Sequence, residues 1–202
     1  MATTTNYGWT TPDDTSLVKD GASAIRTLGS AIDTSLNTAL GTKKAGLVLV
    51  NTTTFTSVAS QSVNNVFTST YKNYRIVINA KHTADADITF RLRASGTDLT
   101  SNNYYEGRYY IGISQSLAAG SNNQTLSTSW GTTSIPTWGG HIIMDIANPQ
   151  ATEVTTALTV GVGRYYITLG QSLNNITTSY DGFTLISAGT MTGSVSVYGY
   201  NL

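Results

Sequence analysis

The sequence predicts a mainly β protein, an antiparallel β-sandwich of jelly-roll-like form preceded by one N-terminal α-helix. Three observations carry this. From Gly46 to Leu202 the apolar residues recur with period two or in short runs. Clusters of Gly, Asn, Asp and Ser separate those runs at intervals suited to tight turns. Between Leu17 and Leu40 the spacing changes instead to three and four.

The helical segment comes first. Thr11-Pro12-Asp13-Asp14 reads as its start, with Thr11 as cap, Pro12 at the first helical position and the acids facing the positive end of the dipole. Leu17, Ile25, Leu28, Ile32 and Leu36 then form an apolar stripe, and Gly41 is a natural stop. A lone helix of this length, rich in Thr and Ser, is marginal in water, so the stripe needs a cover. Two covers are open: the chain's own β-domain, or a short bundle or docking site shared with other subunits. Residues 1–14 show neither period, yet hold Tyr7 and Trp9. Bulky aromatics in such a segment point to burial by a partner.

The expected strands follow in order. Leu47–Val50 and Tyr74–Ile78 are continuous apolar runs, and Ile88–Arg93 alternates with Ile88, Phe90 and Leu92 inward. Tyr109–Ile113, His141–Ile146, Val154–Val162, Phe183–Ser187 and Val195–Tyr200 complete eight or more. The chain thus divides into a docking segment and helix at 1–45 and a β-domain at 46–202. One internal echo runs through it: Arg108-Tyr109-Tyr110-Ile111 recurs as Arg164-Tyr165-Tyr166-Ile167, each followed at the same offset by Gln-Ser-Leu. It marks two strands in equivalent places, each turning one tyrosine inward and one outward.

Composition narrows the function. Of 202 residues, 11 are acidic and 11 are Lys or Arg, so no charge imbalance calls for nucleic acid or an anionic membrane. Charged residues make up only 11%, against roughly a quarter in ordinary domains. Thr, Ser and Asn supply about a third of the chain, giving solubility through hydrogen bonding rather than charge. Cysteine is absent, which removes disulfides, thiolate metal sites and cysteine nucleophiles together. No apolar run reaches the roughly 20 residues of a membrane span. The N-terminus lacks a signal-peptide pattern, so export would need another route, such as lysis.

Catalytic constellations are not found. His82 with Asp85 and Asp87 lacks the spacing of a metal triad, and a polar turn before Ile88 accounts for all three. There is no G-x-S-x-G elbow. Gly161-Val162-Gly163 opens like a dinucleotide fingerprint but meets Tyr166 where glycine is required. Glu106 and Asp145 are the remaining candidates for a glycosidase-type carboxylate pair. The expectation is therefore no catalytic residue, no metal and no cofactor. The aromatics offer more. Tyr104, Tyr105, Tyr109 and Tyr110 cluster with Arg108, and Trp130 and Trp138 flank a glycine-rich stretch. Such residues fill cores and cover their ends, anchor subunit contacts, or stack sugar rings.

Asn6-Tyr7-Gly8-Trp9-Thr10, Pro12-Asp13-Asp14 and Leu17 to Arg26 (LVKDGASAIR) resemble the N-terminal segment of many tailed-phage virion proteins of the minor tail or fibre type. Gly46–Val50, the Tyr71-x-x-Tyr74-Arg75-Ile76 element, Phe90-Arg91-Leu92 and Ser196–Tyr200 resemble the β-domain that follows in them. The resemblance implies a virion protein, a homotrimer held to capsid, collar or tail proteins by its N-terminus and exposing its β-domain. Tyr7, Trp9, Pro12 and the helical stripe are then the expected docking residues, and the function expected is a short fibre or surface-decoration subunit. The alternative is a host-surface carbohydrate-binding module of the tail, using the tyrosine cluster with Trp130 or Trp138.

Overall fold

The computed structural model describes residues 2–12, 17–41, 46–84, 86–112, 117–118, 124–126, 130–135, 137–163 and 166–201, with backbone alone at 40–41, 117–118, 124–126, 130–135 and 166. The chain forms two compact units, Met1–Ala45 and Gly46–Leu202.

In the first unit, β1 (Ala2–Thr3) pairs with β2 (Thr10–Thr11) in a small hairpin. Gly8, at φ +63°, supplies the left-handed residue of the turn, and its N–H donates to Thr4 O. The stacked rings of Tyr7 and Trp9 lie with centroids 5.0 Å apart, and Trp9 Nε1–H donates to Ser35 Oγ of the helix at 3.0 Å. The hairpin was not legible as a strand pair, and it displaces the expected helix start. Thr11 is in the ladder opposite Ala2, so it cannot cap. The helix, α1 (Val18–Leu36), begins from an extended Leu17 without a side-chain cap and runs into a π-helical turn at Asn37–Gly41. Pro12 is exposed, and Asp13 and Asp14 lie outside the described residues.

The second unit is built from β3 (Gly46–Val63), β4 (Asn73–His82), β5 (Ala86–Ala94), β6 (Thr97–Asp98), β7 (Tyr104–Gly112), β8 (Leu117–Ala118), β9 (Gln124–Leu126), β10 (Trp130–Ile135), β11 (Gly140–Ala147), β12 (Thr155–Val162), β13 (Tyr166–Asn174) and β14 (Gly182–Asn201). All pairings are antiparallel, in one sheet ordered β10-β5-β14-β4-β11-β12-β13-β7-β8, with β3 also on β14. The sandwich-like form arises because this sheet curls.

The curl is centred on β14. Its first part pairs with β5 and its second with β4, while β3 follows it along the other side. Register slips between Ile186 and Met191, and again before Gly193, bend the strand between its two partners. At Gly193 the neighbouring backbone comes so near that an added Cβ would lie 2.1 Å from Asn79 O. The segments Phe183–Ser187 and Val195–Tyr200, read as separate strands, are the two parts of this one strand.

Between the leaves lies a core of Phe67, Tyr74, Ile76, Ile78, Phe90, Leu92, Tyr180, Phe183 and Val197, all essentially without solvent exposure. Phe90 and Phe183 stack at 4.7 Å, and a ring centroid distance of 4.9 Å joins Phe67 to Tyr74. Each buried tyrosine hydroxyl is bonded, as burial demands. Tyr104 OH accepts from Leu92 N–H and donates to Leu99 O, and Tyr180 OH donates to Asn174 Oδ1.

Candidate functional site

The region that stands apart is the run β11–β12–β13–β7. On β4 and β11 the phase is ordinary: Ile76, Ile78, Ile142 and Met144 point into the core. Register carries that phase onward. Met144 sits opposite Thr159, Thr159 opposite Gly170, and Gly170 opposite Arg108. The next inward row runs from Ile146 through Ala157 and Ser172 to Glu106. Beyond β11 the buried face is thus small and polar, with Thr155, Thr159, Thr168, Ser172, Asn174 and Glu106 all buried.

The outward face is correspondingly apolar. One row is His141, Val162, Ile167, Ile111; the next is Ile143, Val160, Leu169, Tyr109. Leu158 is 61% exposed, Tyr109 50% and Val162 44%, on strands whose inward partners are threonines and glycines. A shift of one residue would exchange the faces. The β11–β12 connection forbids it: Asn148 holds φ +59°, Ala151 N–H closes onto Asn148 O, and Pro149 O accepts from Tyr180 N–H. Small inward side chains also have a steric cause. Across the interior, β10 passes with Cα atoms within 8 Å of β7, β11, β12 and β13, nearer than the roughly 10 Å of ordinary sheet packing.

One charged cluster interrupts the outward face. Arg75 on β4 grips Asp145 on β11 through Nε at 2.8 Å and Nη2 at 2.7 Å, and Tyr200 OH donates to the same carboxylate at 2.6 Å. The guanidinium holds the Asp145 carboxyl below the usual carboxylate range, against the opposing pull of partial burial. Shallow grooves lie at this end of the sheet. One of about 400 Å³ is lined by Asp145, Ala147, Leu158 and Tyr200, and one of about 470 Å³ by Tyr105, Gly107, Gln171 and Leu173. A third, about 490 Å³, lies at the other end of the sheet among Asn79, Trp138, His141 and Val162. There Trp138 is 65% exposed beside the positive-φ Gly139. His141 Nδ1–H donates to Asn79 Oδ1 at 2.7 Å, because a carbonyl oxygen can only accept.

The expected contact residues separate on this framework. Tyr109 and Tyr105 belong to the outward face, and Trp138 to its far groove. Tyr104 does not belong: it is fully buried in the core, which pushes its phenol above the ordinary range. Arg108 and Tyr110 share the inward phase, and Arg108 bonds Glu106 through Nε at 3.1 Å and Nη2 at 2.6 Å. Trp130 pairs by backbone with Phe90, and its side chain lies outside the described residues. The echoed strands are neighbours, with Ile111 and Ile167 opposite one another, so a local two-fold relates the copies. Of the second copy, Arg164 and Tyr165 lie outside the described residues. Leu158, Val160, Leu169 and Val162 were not singled out from sequence. The available signal was the other phase of the same strands, where Thr, Gly and Ser alternate with them.

Within one chain Glu106 and Asp145 make no glycosidase pair. They point to opposite faces, and three strand spacings set their backbones about 14 Å apart. His82 is buried with Nδ1 3.2 Å from Ser187 Oγ, while Asp87 lies 3.6 Å from Arg108 Nη1; Asp85 is outside the described residues. On α1, Leu28 and Ile32 are half-buried, and Ile25 and Leu36 are exposed; Leu17, just before it, and Tyr7 are also exposed.

No protein-family model matches the chain, and no curated protein matches it. Among solved structures, a protein of unknown function from Shewanella oneidensis MR-1 aligns at 9% identity and TM-score 0.22, covering 77% of this chain and 79% of that one. A seed lectin of Lotus tetragonolobus aligns at 10% identity and TM-score 0.15, over 77% and 88%. Likenesses at these scores carry no argument about fold or function.

Proposed function

We propose that this chain is a structural subunit of a tailed-phage particle, a short fibre or surface-decoration protein attached through its N-terminal unit. The observation that supports a structural role best is the apolar outward face of β12, β13 and β7. A surface of that kind, on a chain with so few charges, is built to be covered. The particle itself is inferred from the resemblance of residues 6–26 to virion proteins. Attachment through the first unit is supported by its hairpin, which leaves Tyr7 exposed. Imaging of intact particles carrying a labelled copy tests the reading. Density at a defined head, collar or tail position is expected, and label found only in the lysate would reject it.

A second reading, recognition of a host-surface glycan, is favoured by the far groove. Trp138 offers an apolar ring face, and the Asn79 amide and His141 Nε2 offer a donor and an acceptor beside it. That is the equipment for stacking and bonding one sugar ring. A glycan array on the purified chain separates the two readings. Binding lost on Trp138→Ala supports recognition; a blank array leaves the structural reading alone.

A further inference from the structure

We infer that the occupant of the outward face of β12, β13 and β7 is a second copy of this chain. This deepens the structural reading, and it is tested in solution, so it can fail while the particle assignment stands.

Area argues first. The seven apolar side chains already named on these strands and Leu173 are each more than a third exposed, on the order of 600 Å² together, the upper end of the largest patch on a typical monomer. That approaches the roughly 800 Å² each partner contributes to a standard stable interface. Charge argues next. The ion pair on this face is Arg75 with Asp145, which neutralise each other at bonding distance. Among the described residues no outward side chain of β12, β13 or β7 is charged, so these strands select no charged partner and do not repel their own image; the exposed Lys81 lies beyond them on β4. A lipid surface fits worse. A bilayer-facing strand set needs an unbroken apolar band, and here Gln171, Thr156 and the Arg75–Asp145 pair lie in the rows between the leucines and valines.

The first unit provides an independent indication. Val18, Ile25 and Ile32 recur every seven residues on α1, with Leu28 on the adjoining row. Val18 is 98% exposed and Ile25 64%. A heptad seam with β-branched residues in one row is complementary to a parallel copy of itself. Two uncovered apolar surfaces of the same chain thus call for the same partner.

The test uses the full chain in light scattering coupled to size exclusion, with sedimentation at micromolar concentration. An oligomer is expected. Val160→Asp with Leu169→Asp should weaken association at least 100-fold while leaving the circular dichroism spectrum of the monomer unchanged, since both side chains are on its surface. Leu158→Cys carrying a nitroxide label gives a check that does not depend on the double variant folding. The chain has no other cysteine, and the label should be immobilised in the oligomer and mobile on dilution. A wild-type monomer overturns the inference. So does an oligomer dissolved by Ile25→Asp but indifferent to the double variant, or a label equally mobile at all concentrations. Co-sedimentation of the wild-type monomer with phosphatidylcholine vesicles, abolished in the double variant, would overturn it in favour of lipid.

Discussion

Strands β4 and β14 and strands β12 and β13 lie in the same sheet and alternate with the same period, yet they wear their polarity in opposite senses. In the first pair Ile76, Ile78, Val195 and Val197 are inside and Asn79, Ser194 and Ser196 outside. In the second, threonines, glycines and serine are inside and leucines and valines outside. The phase of a strand is therefore set by its neighbours and its connecting loop as much as by its own hydrophobicity. Where the interior is tight, small polar side chains are admitted and the apolar ones are left for another surface to bury.

Substitutions sharpen the contrast. Phe183→Ala, in the ordinary leaf, should cost about 3–5 kcal/mol, because it empties a ring stacked on Phe90 in a closed core. Urea unfolding measures it, and a loss under 1 kcal/mol would show that the two leaves do not differ as described. Thr159→Val, on the inward face of the other leaf, should gain about 1 kcal/mol. Its hydroxyl is buried without a hydrogen-bond partner among the described residues, so the isosteric methyl removes a desolvation cost.

Asp145→Asn should cost roughly 0.5–1 kcal/mol, the ion pair being about a third exposed and so partly screened by water. Because folding lowers the Asp145 pKa, its contribution is present above the ordinary carboxylate range, near pH 4, and is lost as pH falls through the lower folded value. Acid unfolding curves of wild type and variant should converge below that point; a constant offset at all pH would deny the pair its role. Least of all, Leu169→Ala should change monomer stability by under about 0.5 kcal/mol. That holds at dilutions where unfolding no longer depends on concentration, and a core-sized loss there would make Leu169 a core residue.

Much of the fold was legible because period two is a local property. The runs at Tyr74–Ile78 and Ile88–Arg93 and the change of period near residue 46 need only a short window of sequence. What was not legible depends on distant partners. The Thr11–Pro12 helix start is a sound local signal, overruled because Ala2 takes Thr11 into a ladder. The union of Phe183–Ser187 and Val195–Tyr200 into one strand needs β3 alongside to bridge the bend. Tyr104 and Tyr109, five residues apart, read alike as cluster aromatics, yet opposite phases put one in the core and the other outside. The apolar outward face was hidden for the same reason: period gives alternation but not which side is in.

The position of β14 has a further consequence, for the order of events on the ribosome. Among the described residues β3 is hydrogen-bonded in the sheet to β14 alone, and β14 follows the other strands in order. Some 120 residues separate Val63 from Phe183, its partner in the register. Until that segment emerges, the leaf holding β5 and the leaf holding β4 have no common strand, and β3 waits as an open edge. Synthesis therefore sets an order: a nascent or truncated chain without β14 lacks the strand that joins the two leaves.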